Sequence, residues 1–576
     1  MTDEDREGMT TLAASPQSDL GNDPDRVRRL EDIAELQEKQ LEVKTDTLGA
    51  THLETLAAMN DLANSYTILC RFSDAIELQK KVVDLTTAVL GPEHPQTLSA
   101  MNNLASSFNC AGDVSNALTL QEEVLQISER VLGESHLSTL VSGNNLANSL
   151  NLLGRVEEAT ALHQKILETR RNLVGEEHPD TLTSMNNLAD ALNKLGRKTE
   201  AVFLLERVVT KRLDILGETN LDTLSAMNNL AILSRDIGRI DSALGLQERV
   251  VAGTRTILGN EHAGTLRSLN DLANIYDSAG HFWEARALYE RVIDITQGIY
   301  GSKAPQTLAS QSSLARSHHL FGYLKESVEL QEEVVHASRE SLGSIHPDTL
   351  RAIRDLGIWY NEMGCPARAV GLLEEVVSEN TTAHGREHVH TLISMSNLAN
   401  CYCGLNRMEE AIALHRNVLT MTQRTLGAGH PATVTTISNL ASTLLKAGNT
   451  SQAIELQERT VKMSRSIFDN DHPSVLDSVS NLGTYYTRAG RYGEAETLHC
   501  RAVEASQRVF GKGHPNTLRF INNQTNNLHE AGEGVKALEL QSHVVDTSRE
   551  VLGENHPVTL LSVSNLELFR GQQRTK

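Results

Sequence analysis

Eleven of the 22 histidines recur at one place in a 42-residue period: His52, His94, His136, His178, His262, His346, His388, His430, His472, His514 and His556. An imidazole can ligate a metal, move a proton, or accept a backbone N–H where a helix begins. Rings a whole period apart cannot share an ion, so this series reads as a turn or capping device. The densest group of metal-type residues is "AHGREHVH", with His384, His388 and His390, followed by Cys401 and Cys403. Its spacing matches no closed zinc site, and His388 already belongs to the periodic series. There is no H-E-x-x-H, G-x-S-x-G, C-x-x-C or G-x-x-x-x-G-K-[ST], and no carboxylate pair stands apart from the solvated acidic residues. Neither a metal, a cofactor nor an enzymatic activity is expected.

A second recurring set is made of amides. Asn103, Asn145, Asn187, Asn229, Asn397 and Asn439 share one position of the period, which Asp271, Ser313 and Asp355 also occupy. An amide both donates and accepts, so it can pair with a peptide backbone without demanding a sequence. The preceding position is Asn60, Asn102, Asn144, Asn186, Asn228 and Asn270 in the early repeats and mostly Ser later. Arg267, Arg316, Arg351 and Arg354 form a basic group inside a chain whose formal net charge is −21. Guanidinium groups gathered in this way could grip carboxylates.

The overall charge disfavours nucleic acid and anionic membrane as partners. No apolar run approaches the roughly 18 residues of a membrane span. The opening "MTDEDREGM" has no secretory signal pattern, and the six cysteines follow no disulfide framework, so a reducing, cytoplasmic setting is expected. Aromatic residues are only 4%, which argues against a β-sandwich or barrel.

The period dictates the elements. "TL" or a near equivalent ends at Leu56, Leu98, Leu140 and so on to Leu560, always at intervals of 42 residues. With its Thr as position 1, positions 2, 5, 8, 9 and 12 are mostly apolar or small, which is helical spacing. Position 16 is usually Gly, as in Gly112, Gly196 and Gly364, and suits a left-handed helix end. A second apolar pattern, as in "EEATALHQKILETRRNLVG", ends on another Gly. The junction "G-x-x-H-P-x-T-L" then starts the next helix, with Pro at its first position. Each unit is therefore an A helix of about 14 residues and a B helix of about 18. Position 9 is Ala or Gly and position 21 Ala in 11 of 12 units each, so two antiparallel helices can approach closely.

Helix A with "NLA", a Gly, then helix B with "EA" resembles the tetratricopeptide repeat. "LG..HP.TL..MNNLA" is similar to its 42-residue variant in kinesin light chains and in arrays attached to nucleotide-binding immune-type receptors. The resemblance covers residues 28 to 570 and implies an all-α, right-handed superhelical solenoid of antiparallel helix pairs. Full units begin near 55, 97, 139, 181, 223, 265, 307, 349, 391, 433, 475 and 517, giving 12 pairs with a half unit at each end. Residues 1–24 read as a disordered acidic leader, 25–570 as the continuous solenoid and 571–576 as a disordered tail. The chain shows neither the heptads of a motor light chain nor a P-loop, so it resembles the array alone.

In such arrays the A helices line a concave groove, and position 7 lies opposite the apolar stripe. The resemblance thus implies a non-enzymatic scaffold that holds a peptide segment of a partner protein. The expected contacts are Asn103, Asn145, Asn187, Asn229, Asp271, Asn397 and Asn439, with Arg267, Arg316, Arg351 and Arg354 selecting an acidic segment. Alternatives are a kinesin-light-chain-like cargo adaptor and a sensor module beside a separate nucleotide-binding switch protein. Position 6 is expected to bond the neighbouring unit.

Overall fold

The computed structural model describes residues 24–69, 71–468, 470–554 and 556–574. These form 26 helices, from Pro24–Leu48 to Pro557–Arg574, and no strand among the described residues. A helices such as Pro95–Cys110 have 16 residues and B helices such as Val114–Leu132 have 19. The leader expected over residues 1–23 lies outside the described residues, whereas the last helix runs on to Arg574 through most of the expected tail.

The periodic histidines are N-caps. In all eleven, Nδ1 accepts the backbone N–H two residues on, at 3.0–3.4 Å, satisfying a donor that the helix start would otherwise leave bare. Asn220 does the same through its Oδ1 at 2.8 Å. The Thr of "TL" has a role that helical spacing does not reveal. In many units its hydroxyl donates back to the junction glycine's carbonyl, as from Thr97 to Gly91, Thr181 to Gly175 and Thr433 to Gly427, each at 2.8 Å, and in others, such as Thr139 and Thr349, to a B-helix carbonyl eleven residues back. Where such a junction also carries the capping histidine, as at His94, His178 and His430, it is tied from both sides. The A-to-B turns close on glycine at positive φ, or on Asn406 at φ 60°, which of the side-chain-bearing residues tolerates that region best.

The small positions meet as expected: Ala189 and Ala201 are fully buried. In two units position 9 is glycine, and each lies against a large B-helix side chain. A Cβ at Gly357 would lie 3.0 Å from Leu373, and one at Gly483 2.7 Å from the His499 ring. Units are stitched by a buried glutamine on the B helix. Gln247, Gln331, Gln457 and Gln541 donate to the carbonyls of Ser268, Ala352, Ser478 and Ser562 at 2.8–3.1 Å, so a buried carbonyl of the next A helix is satisfied.

Neighbouring A helices touch one another, as Pro347–Glu362 touches Val389–Gly404 and the latter touches Pro431–Lys446; among the described residues no B-helix pair is in comparable contact. The stack therefore bends locally toward its A face. The chain forms two compact units, one reaching Ala191 and including His262–Gly264, the other made of Leu192–Glu261 and Thr265 onward. Inside the second unit the chain returns upon itself. A Cβ on Gly196 would collide with Phe468, and one on Gly238 would lie 2.9 Å from the carbonyl of Val509. His514 Nε2 meets the Ser278 carbonyl at 3.1 Å, and Phe321 packs edge-on against His556 with ring centroids 5.7 Å apart. A-to-B turns thus seat on B-to-A junctions some 235 or more residues later.

Candidate functional site

The A-helix faces carry the amide ladder, and its rungs are bonded to one another. Asn103 donates to Asn60 and Asn187 to Asn144, each at 2.9 Å, while Asn439 donates to Ser396 at 3.2 Å. Position 7 of one unit therefore bonds position 6 of the unit before. Position 6 in turn reaches forward, as Asn102 does to Ser142 at 3.0 Å and Asn270 to Ser310 at 3.1 Å. The expected tie at position 6 is present, and position 7 shares it. Asn187 is only 8% exposed, so most of its amide is used within the stack. Asn103, Asn145, Asn229, Asn397 and Asn439 keep a half-buried edge.

The basic group is balanced. Arg354 and Arg316 both face Asp355, at 2.8 and 3.5 Å, and Arg351 pairs with Asp348 at 2.8 Å. Arg267 lies near Asp271, whose carboxyl burial raises above the ordinary range despite the bond from Asn228 and the nearby Arg235 and Arg267. The arginines expected to await an acidic partner are thus already engaged with aspartates of their own chain.

A partly open space lies between two neighbouring A helices and the end of the B helix that joins them. Leu392, Ile393, Asn397, Thr435, Thr436 and Asn439 are among the residues around a cavity of about 300 Å³ that carries no ionisable side chain. Ile393, at its rim, is 39% exposed. Spaces of this size lined by aliphatic groups with a few polar atoms suit a side chain held by its neighbours.

One recurrent surface constellation escapes helical-wheel reasoning. Tyr66 donates to Glu38 at 2.6 Å and Tyr486 to Glu458 at 2.7 Å, each tyrosine reaching the preceding B helix. Arg71 and Arg491 lie over those rings at 4.1 and 4.0 Å, near enough for cation–π attraction. Burial first, then the glutamate, pushes both phenols up to about 12. The Tyr-to-Arg spacing of five residues, repeated at Tyr402 and Arg407, is the sequence signal for it.

Asp277 is a further perturbed group, and it has structural partners. Asp277, pushed up to about 6 by burial, accepts from Ser317 at 2.7 Å and from Tyr289 at 3.0 Å. Each of its oxygens thus accepts a bond from a neighbouring side chain. The rings of His388 and His390 are 5.2 Å apart, Cys401 and Cys403 are buried free thiols, and burial pushes the Cys401 thiol up to about 12. Among the described residues no group of three or more His, Cys, Asp or Glu could hold a metal, and no helix is long and apolar enough to cross a membrane.

The tetratricopeptide-repeat family model matches residues 61–130, 138–213, 222–298 and 390–466, and a second model of the same description matches 307–348 and 475–516. No curated protein matches the chain in sequence. Among solved structures, a Podosopora anserina kinesin-light-chain protein with nearly identical tetratricopeptide-like repeats is 33% identical, with 35% of this chain and 95% of that one covered and a TM-score of 0.32. BtubC from P. vanneervenii is 20% identical over 42% of this chain and 92% of its own, with a TM-score of 0.35. Yeast Tom70 is 12% identical over 90% and 96%, with a TM-score of 0.41. With its capped 42-residue helix pairs and family matches over more than half its length, the chain belongs to the tetratricopeptide-repeat family of protein-interaction scaffolds.

Proposed function

We propose that the A-helix face is a groove that binds an extended segment of a partner protein, by recognition rather than by chemistry. The observation that carries this is the uncharged cavity beside Ile393. An aliphatic side chain of the partner enters it, and the exposed edges of Asn397 and Asn439 bond the flanking backbone. Asn103, Asn145, Asn229 and, through its remaining edge, Asn187 extend the same contact along the array, with Asp271 as a further acceptor. Arg267, Arg316, Arg351 and Arg354 would read an acidic segment only by exchanging partners with Asp348 and Asp355, so a neutral segment is favoured. The net charge of −21 speaks against nucleic acid, and the free buried thiols suit the cytoplasm.

A photo-crosslinking residue at Ile393 tests this against one at exposed Ser378 on the B helix. Capture of a partner from position 393 alone, lost on Asn397→Ala with Asn439→Ala, is expected. Equal capture from both faces would overturn the groove assignment.

A further inference from the structure

Inside the second unit, the B-helix ends seal against earlier turns by a simple device. An apolar knob (Phe468, Val509, Leu552), one or two residues before the junction position (Asp469, Gly511, Gly553), sits on the turn glycine of an earlier A helix (Gly196, Gly238, Gly280). Glycine leaves the space that a side chain would fill. Knobs of the same kind also occur without a seat. Ile215 is 48% and Ile257 40% exposed, and the same place carries exposed Val89, Val131 and Leu173 earlier in the chain. Turn glycines of the same kind are open as well. No described atom comes within 4 Å of a Cβ built on Gly364, Gly448, Gly490 or Gly532.

We propose that a second copy of this chain covers these knobs, its open turn glycines seating on Ile215 and Ile257 as Gly196 and Gly238 seat on Phe468 and Val509. Two observations select a second copy over an unrelated protein. The interface is a continuation of one the chain already makes with itself, and the two edges differ in charge. Exposed Glu218 and Glu261 flank the knobs, whereas exposed Lys446 and Arg488 flank two of the open turns, at Gly448 and Gly490, which makes these two the seats. Gly364 and Gly532 have exposed Glu362 and Glu530 beside them. Glu218 also has its own Arg249 at 2.7 Å, so its contribution is partial. Each copy carries both halves, so the contact is heterologous, head to tail, and extends with concentration instead of closing as a symmetric pair. It uses neither Ile393 nor the amide ladder, and its failure would leave the groove untouched.

Sedimentation velocity of the full chain, from nanomolar to submillimolar concentration, reads the outcome. The sedimentation coefficient is expected to rise with concentration. Ile215→Glu with Ile257→Glu, or Ala447→Glu with Ala489→Glu, should each weaken association by ~10-fold or more, about 1.4 kcal/mol, without lowering the melting temperature. Mixing the knob variant with the turn variant should restore pairs, since each retains the half that the other lacks. A chain that stays monomeric throughout overturns the proposal and leaves the knobs to a different protein. So do variants that associate as the parent does, or a mixture that forms no pairs. Should a variant fail to fold, zero-length crosslinks between Glu218 of a heavy-isotope copy and Lys446 of a light copy decide the matter, and their absence counts against it.

Discussion

His415 lies where other units place the stitching glutamine, and neither of its ring nitrogens has a hydrogen-bond partner among the described residues. Burial pushes its imidazole down to about 4 from the ordinary 6.5. A depressed histidine is neutral in the fold and takes up its proton mainly on unfolding. Its stabilising contribution is therefore complete above pH 6.5, declines as pH falls, and is gone below about 4. At pH 5 the two titrations differ enough to remove about 2 kcal/mol, each pH unit between the two values being worth about 1.4 kcal/mol. His415→Gln removes the titration and puts an amide donor within reach of the Thr436 carbonyl, as Gln331 does for Ala352. Urea unfolding followed by circular dichroism at pH 7.5 and pH 5, with amide exchange of helix Met408–Leu426, reads both effects. The substitution should narrow the gap between the two pH values by about 2 kcal/mol. An unchanged gap, with the helix exchanging equally fast in both proteins at pH 5, would refute the account of a dry, unpartnered ring.

Ala201→Leu should lower stability by roughly 1–3 kcal/mol through overpacking against the A helix, checked by thermal melting. Thr181→Val keeps the shape but removes the tie to the Gly175 carbonyl, and a loss of about 1 kcal/mol is expected from urea titration. Asn187→Ala should cost more stability than Asn145→Ala, by about 1 kcal/mol, because it leaves the buried Asn144 oxygen without its donor; equal melting curves would show that the bond is not made. Ile393→Asp should abolish partner capture with an unchanged melting temperature, and a pull-down beside a melt separates the two.

The local structure is legible where a single residue type answers a single backbone need. His at the helix start, Gly at the turn and Ala at the crossing each satisfy a requirement that the sequence exposes. The site is less legible because a helical wheel treats one helix alone. It puts Asn187 on the open side, yet the neighbouring unit brings Asn144 within 2.9 Å and covers it. The arginines read as a basic group because the sequence does not show which aspartate each one reaches: Arg316 pairs with Asp355, one unit away. The Thr tie is hidden because its acceptor, six residues back, comes into reach only through the left-handed glycine. The seating of Gly196 on Phe468 requires the pitch of the stack, which no single period encodes.

That seating has a consequence for synthesis. Helix pairs close on neighbours made moments before, but Ser278 must wait for His514, 236 residues later. At ribosomal speeds the interval is roughly 10–50 s, during which the turns of a nascent chain stand uncovered. Any chain growing on the same message presents matching junctions at that time. Unvarying brick length then has a kinetic benefit: the correct junction, when it emerges, arrives on the same molecule and already in line with its seat.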